Sequence, residues 1–354
     1  MQFFKIDPEQ SEKAQAAAAA NGVELPEVMK RQLANQFHML MIVKGFPATT
    51  SAQAWSPDAD HFKQWMRDNI PPPTLDHAGV QTMRFTYDAM APRPLRPYTV
   101  KGAFIDDLAV EWVMAEGARS DHRILNPHGG AFVSGSKQSH RGMAFLLSEV
   151  TGAAVLLFEH RLAPEHPAPA ALDDTMQAYR WMLENGPDGP EPVRNFALIG
   201  DSAGGNLTCA GMMRARDEGL RLPACAVGMS CWNDMAGKSP SRQTRIDLDP
   251  FLNPPLMQFC ASQYVGDGDP TDPSVSPVYG DYRDLPPILF QVGDHEILLD
   301  DTVRSHERAL ETGCQSTLEV WPGMFHTWQF WADVVPEGRQ AVDRLGAFVR
   351  KHWG

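Results

Sequence analysis

Positive charge is scarce in this chain. Lys and Arg number 31 against 44 Asp and Glu, a formal net charge of -13 over 354 residues. No basic cluster interrupts the acidity, and a surface of that sign repels polyphosphates and anionic membranes, so no nucleic-acid partner is expected. Cysteine is scarce too. Cys209, Cys225, Cys231, Cys260 and Cys314 form no C-x-x-C pair and no metal-ligand spacing, which argues against a disulfide scaffold and a structural metal. Long apolar runs are missing, with nothing near the roughly 18 residues of a membrane span. The opening Met1-Gln2-Phe3-Phe4-Lys5-Ile6-Asp7 lacks the charged-then-apolar order of a signal peptide. These absences leave a cytoplasmic globular protein as the expectation, long enough to bury a substantial core.

What is present begins with helical patterning. Residues 11–20 are alanine-rich, and Leu33, Phe37, Leu40 and Met41 recur at helical spacing, as do Phe62, Trp65 and Met66. Pro71-Pro72-Pro73 ends that part. From about residue 80 the pattern predicts strands at 81–87, 109–114, 123–125, 154–158, 196–199, 224–229, 288–292 and 317–320. Helices are predicted between them near 138–150, 170–184, 205–218, 300–312 and 337–351. Such alternation implies an α/β fold, a mostly parallel sheet with helices on both faces, whose ligands bind at the carboxyl ends of the strands. Residues 233–275, rich in Pro, Asp and Gly with one short helix near 255–264, read as an insertion above the sheet.

The chemistry concentrates after four of those strands. Gly200-Asp201-Ser202-Ala203-Gly204 follows the apolar run 196–199 and opens a helix, the strand–turn–helix pattern of a nucleophile elbow with Ser202 at its apex. A serine needs a base, and the base an orienting acid. His128-Gly129-Gly130-Ala131 follows the strand at 123–125, where Gly129 and Gly130 are expected to join Ala203 in offering N–H groups to an oxyanion. Gly293-Asp294-His295-Glu296 follows the strand at 288–292. Spacing leaves Asp294 and Glu296 both open as the acid, with the longer reach of Glu296 in its favour. Asp300 and Asp301 read as helix N-caps. His326 lies on the loop after the last strand, at the same sheet edge as the elbow, a position that its rivals His295 and His306 lack. Serine, acid and histidine thus stand in the order expected of an α/β-hydrolase.

These motifs resemble the bacterial hormone-sensitive-lipase family of α/β-hydrolase carboxylesterases. Gly200 to Gly204 is similar to its G-D-S-A-G elbow, His128 to Ala131 to its H-G-G-G loop, and His160-Arg161-Leu162-Ala163-Pro164-Glu165 to its Y-R-L-A-P-E segment. In the acid loop the resemblance favours Glu296, three residues after Gly293, over Asp294. Ala131 departs from the third glycine, His160 from the tyrosine, and Ala168 stands where an aromatic is common. Arg161, Glu165, Asp173 and Asp174 are expected in internal ion pairs.

The resemblance implies a helical cap from residues 1–80 over a catalytic domain of residues 81–354, with 233–275 contributing to the cap. It implies Phe132, Asp201, Trp232 and Phe325 near the substrate, with Trp328, and an acyl pocket touched by Met29, Met39, Met41 and Met66. The expected activity is serine carboxylesterase action on short- to medium-chain esters through an acyl-enzyme, without metal or organic cofactor. A lactone hydrolase or acyltransferase would use the same triad. A small-molecule receptor on this fold is disfavoured by the retained base His326. A homodimer through the last strand and helix belongs to the same expectation.

Overall fold

The computed structural model describes residues 55–94 and 96–353. The alanine-rich stretch and Met29, Met39 and Met41 lie outside the described residues. Helix α1 (Pro57–Asn69) starts at the N-cap Ser56, with Pro57 in its first turn, and ends before Pro71. Helix α2 (His77–Met90) is capped by Asp76, whose carboxylate accepts the Gly79 N–H at 2.8 Å. The strand predicted at 81–87 is therefore helical. Its polar–apolar alternation and aromatics mimic a strand, but the cap and the contacts of Met83, Tyr87 and Met90 along one cavity decide for the helix.

Besides a few short turns and a two-residue strand pair, the remaining elements are β1 (Tyr98–Ile105), β2 (Leu108–Ala115), β3 (Arg119–Leu125), α3 (Lys137–Thr151), β4 (Ala153–Phe158), α4 (Ala170–Glu184), β5 (Asn195–Asp201), α5 (Ala203–Asp217), β6 (Cys225–Met229), α6 (Pro254–Val265), β7 (Ile288–Gly293), α7 (Leu299–Glu311), β8 (Ser316–Trp321) and α8 (Pro336–Trp353). The sheet runs β1-β2-β4-β3-β5-β6-β7-β8. Pairing is parallel from β4 through β3 to β8, and β2 is antiparallel to both β1 and β4. Sequence patterning missed β1 because most of its side chains face solvent at the sheet edge.

The period of two along the strands sorts the core. Leu125, Leu156, Phe158 and Leu198 pack on the face covered by α4 and α5, while Ile124, Val155, Leu157 and Ile199 pack on the face covered by α3 and α8. Among the described residues β4 is buried throughout, as a strand covered on both faces must be. A third cluster joins Phe62, Trp65 and Met66 of α1 to Met324, Phe325 and Trp328, so α1 rests on the loop after β8.

Ion pairs join the connections. Arg161 holds Asp174 at 2.7 Å, but Glu165 pairs with Arg84 of α2 at 2.6 Å and Asp173 with Arg214 of α5 at 2.5 Å. Asp300 and Asp301 are not caps of α7, which has Leu298 at that position with no side-chain bond. Both turn instead to the insertion. Asp300 Oδ2 accepts the Ser241 N–H at 2.7 Å, and buried Asp301 accepts the Asp234 N–H at 3.0 Å and faces Arg242 at 3.1 Å.

Candidate active site

Ser202 sits between β5 and α5 with φ 51° and ψ -118°, a conformation that side chains rarely adopt. The structure holds it by bonding: its N–H donates to Met229 O at 2.9 Å, and its carbonyl accepts the Asn206 N–H at 3.1 Å and the Trp232 N–H at 3.1 Å. Gly204 is needed for space, since a Cβ there would lie 2.1 Å from Pro127 O. That close approach brings the start of α5 against the loop after β3.

On that loop the N–H groups differ in what they meet. The Gly129 N–H donates to His140 Nε2 at 3.0 Å, and Gly129 does not line the cavity beside Ser202, whereas Gly130 and Ala131 do. Gly130 has φ 119° and Ala131 φ 57°. The N–H groups of Gly130, Ala131 and Ala203 donate to no acceptor among the described residues. The Gly129 N–H is thus directed at the His140 imidazole, while the N–H groups of Gly130, Ala131 and Ala203 stay unengaged beside Ser202. Sequence spacing locates such a loop but does not reveal which way each N–H points.

The acid side is clear in geometry. Glu296 is fully buried, and its Oε2 lies 2.9 Å from His326 Nδ1. Its Oε1 accepts the Gly293 N–H at 2.6 Å and the Ser230 hydroxyl at 2.8 Å. Asp294 does other work: its Oδ1 accepts the Gly323 N–H at 2.6 Å, joining the acid loop to the histidine loop. Burial alone would lower the His326 pKa, but the hydrogen bond and charge of Glu296, with the charges of Asp249 and Asp201, hold it above the ordinary value. Among the described residues neither Ser202 Oγ nor His326 Nε2 makes a hydrogen bond, and both residues line one cavity of about 650 Å³.

That cavity has mostly apolar walls, including Met66, Ile70, Leu252, Leu256, Met257 and Phe330. Phe132, Asp201, Trp232 and Phe325, expected near the substrate, are not among its lining residues. Phe132 stacks on Tyr264 with ring centroids 3.5 Å apart and meets Trp232 at 5.9 Å, while Phe325 stacks on Phe62 of α1 at 5.4 Å. Their ring area is spent on packing beneath the site. Trp328 is buried in the same cluster as Phe325. Asp201 faces the oxyanion loop, its Oδ1 3.1 Å from His140 Nε2. Of the four methionines expected at the acyl pocket, Met66 is the one among the described residues, and it lines the cavity.

Three residues escaped sequence reasoning. Ser230, directly after β6, bridges Glu296 to the Thr327 N–H, which donates to its hydroxyl at 3.2 Å. Buried Lys63 of α1 donates to Gly323 O at 3.0 Å and lies 2.8 Å from Asp60 and 3.2 Å from His295 Nδ1. Asp249 shares the cavity with Ser202 and His326. Only the strand-end position of Ser230 carried a signal.

Among the described residues no cluster of His, Cys, Asp and Glu has metal-binding geometry, and no helix is long and apolar enough to cross a membrane. A family profile described as alpha/beta hydrolase fold matches residues 124–330. The chain is 42% identical over 245 residues to an acetyl-hydrolase of Streptomyces hygroscopicus, covering 69% of this chain and 80% of that one. A crystal structure of EstE5 soaked with p-nitrophenyl butyrate superposes with a TM-score of 0.79 at 38% identity, covering 84% of this chain and 99% of that one. An esterase from the bacterial hormone-sensitive lipase family gives a TM-score of 0.77 at 38% identity, covering 85% of this chain and 100% of that one.

Proposed function

Because this chain belongs to the α/β-hydrolase fold family, beside the esterases of the bacterial hormone-sensitive-lipase type, we propose that it is a serine carboxylesterase acting through Ser202, His326 and Glu296. Ser202 Oγ attacks the ester carbonyl as its proton passes to His326 Nε2. Glu296, holding Nδ1–H, fixes the tautomer that leaves Nε2 free and stabilises the imidazolium. The tetrahedral oxyanion is held by the N–H groups of Gly130, Ala131 and Ala203. Collapse expels the alcohol oxygen, which takes the proton from His326, and leaves an acyl-enzyme. Water then repeats the sequence, giving its proton to His326 and releasing the carboxylic acid and Ser202.

The observation that carries this reading is the buried Glu296–His326 hydrogen bond, with His326 and Ser202 lining one cavity. The apolar walls and the volume of about 650 Å³ support short- to medium-chain acyl groups. A cap over a catalytic domain is supported by the cavity walls that α1, α2 and residues 246–257 supply, although α2 (His77–Met90) runs across the expected boundary between residues 1–80 with part of 233–275 and residues 81–354. Five buried free cysteines support a reducing compartment, the cytoplasm. The open edge of β8 is where a homodimer through the last strand and helix would form. Ser202→Ala is expected to bring p-nitrophenyl butyrate turnover to background, and retained wild-type turnover would overturn the mechanism.

A further inference from the structure

The insertion reaches the loop after Glu296 at several points, among them the Ser241 hydroxyl on Ile297 O at 2.8 Å, and one of these links, Asp249, is also a wall of the cavity. Asp249 Oδ1 accepts the N–H groups of Phe251 at 2.9 Å and Leu252 at 2.8 Å. Its Oδ2 accepts the N–H of Ile297 at 3.0 Å, the residue directly after Glu296. Asp249, Pro250, Phe251, Leu252 and Asn253 all line the cavity that holds Ser202 and His326. The Phe251 ring lies nearly parallel to the His326 imidazole, with centroids 6.4 Å apart and planes at 12°. The same side chain therefore shapes the pocket wall with one oxygen and restrains the acid loop with the other.

We propose that Asp249 is a positioning residue that fastens the 249–253 pocket wall to the Glu296 loop, so that the wall and the acid–histidine pair keep one geometry. The proposal rests on the serine esterase reading of the same site. Three N–H donors aimed at one buried carboxylate are more than an ordinary turn requires, and only one of them comes from outside the insertion. Burial pushes the Asp249 carboxyl up to about 6 even though its donors and His326 favour the charged form. Keeping an acid in so unfavourable a place fits a group retained for its acceptor geometry.

Asp249→Asn tests this, because an amide has one acceptor oxygen for donors on two sides. If its oxygen keeps Phe251 and Leu252, its NH2 opposes the Ile297 N–H, and the acid loop loses this restraint while the Ser241–Ile297 bond remains. The expected result is a kcat about 10- to 100-fold lower on p-nitrophenyl acetate and p-nitrophenyl hexanoate alike, with a smaller change in KM. The low-field proton resonance of His326 Nδ1–H should shift or broaden. Asp247→Asn, on the exposed neighbouring position, should leave kcat unchanged.

Wild-type kcat in Asp249→Asn would overturn the positioning role. So would a loss that matches a reduced folded fraction by circular dichroism while the His326 resonance is unmoved. If Ser202→Ala keeps its turnover, the reading of the whole site falls. If Ser202→Ala is inactive and Asp249→Asn is normal, only the role of Asp249 falls.

Discussion

Replacing Glu296 by glutamine changes charge and hydrogen-bond polarity at nearly constant volume, so it isolates what the acid does. The carboxylate serves two sides at once: Oε1 accepts from Gly293 N–H at 2.6 Å and from Ser230 at 2.8 Å, and Oε2 lies 2.9 Å from His326 Nδ1. An amide can serve only one side as acceptor. If its oxygen stays with Gly293 and Ser230, its NH2 faces Nδ1, which must then lose its hydrogen, and the proton moves to Nε2. That tautomer cannot take a proton from Ser202. If the amide turns over, its NH2 opposes the buried Gly293 N–H, at a cost of about 1–3 kcal/mol for the unpaired donors. The first arrangement satisfies more bonds and is the inactive one. The expected loss is on the order of 10⁴ in kcat, equal to about 5 kcal/mol of barrier. Steady-state hydrolysis of p-nitrophenyl butyrate measures it, with near-ultraviolet circular dichroism of the nine tryptophans to show that the fold is kept. Asp294→Ala, measured beside it, should lose far less, because Asp294 joins two loops and touches no ring nitrogen of His326. A wild-type kcat for Glu296→Gln, or an inactive Asp294→Ala beside an active Glu296→Gln, would refute the assignment.

The pH profile has a definite sign. His326 must be neutral to accept the Ser202 proton, and its pKa is raised above the ordinary 6.5, so activity should be absent well below that raised value and climb as pH passes through it. An acid limb of kcat/KM centred below 6.5 would contradict the environment described. Gly130→Ala puts a side chain at φ 119°, with its Cβ 2.2 Å from Ser134 O. The loop must move and its donors with it, so kcat should fall on the order of 10²- to 10³-fold, the effect of one lost oxyanion donor. A normal kcat with normal inhibition by an aryl boronate would place the oxyanion hole elsewhere.

The parts of the site legible in the sequence are those whose chemistry depends on chain position. Ser202 is announced by the glycines that let β5 and α5 meet. His326 is announced by lying after the last strand. The acid was readable only to a choice, because Asp294 and Glu296 share a loop and the deciding contacts, Ser230 and Gly323, come from distant segments. Direction was not readable at all. Gly129 and Ala131 differ in which way an N–H points, which His140 decides from eleven residues away. Phe132, Trp232 and Phe325 look alike in sequence whether they wall a pocket or fill a core. Here the packing of Tyr264 and Phe62 claims them. The strand predicted at 81–87 failed for the same reason, since alternation is equally suited to a helix that turns one side to a cavity.

Strand β8 has a consequence beyond its place in the sheet. Among the described residues it is the last strand at one edge, paired only with β7, and His326 hangs from the loop that follows it. Edge elements open at lower free energy than the middle of a sheet. The base therefore follows an edge strand, while Ser202 stands on β5 inside the sheet, four strands from the other edge. Warming should silence the enzyme by detaching its base while the nucleophile is still in place, so inactivation would report a local event and precede the melting of the sheet.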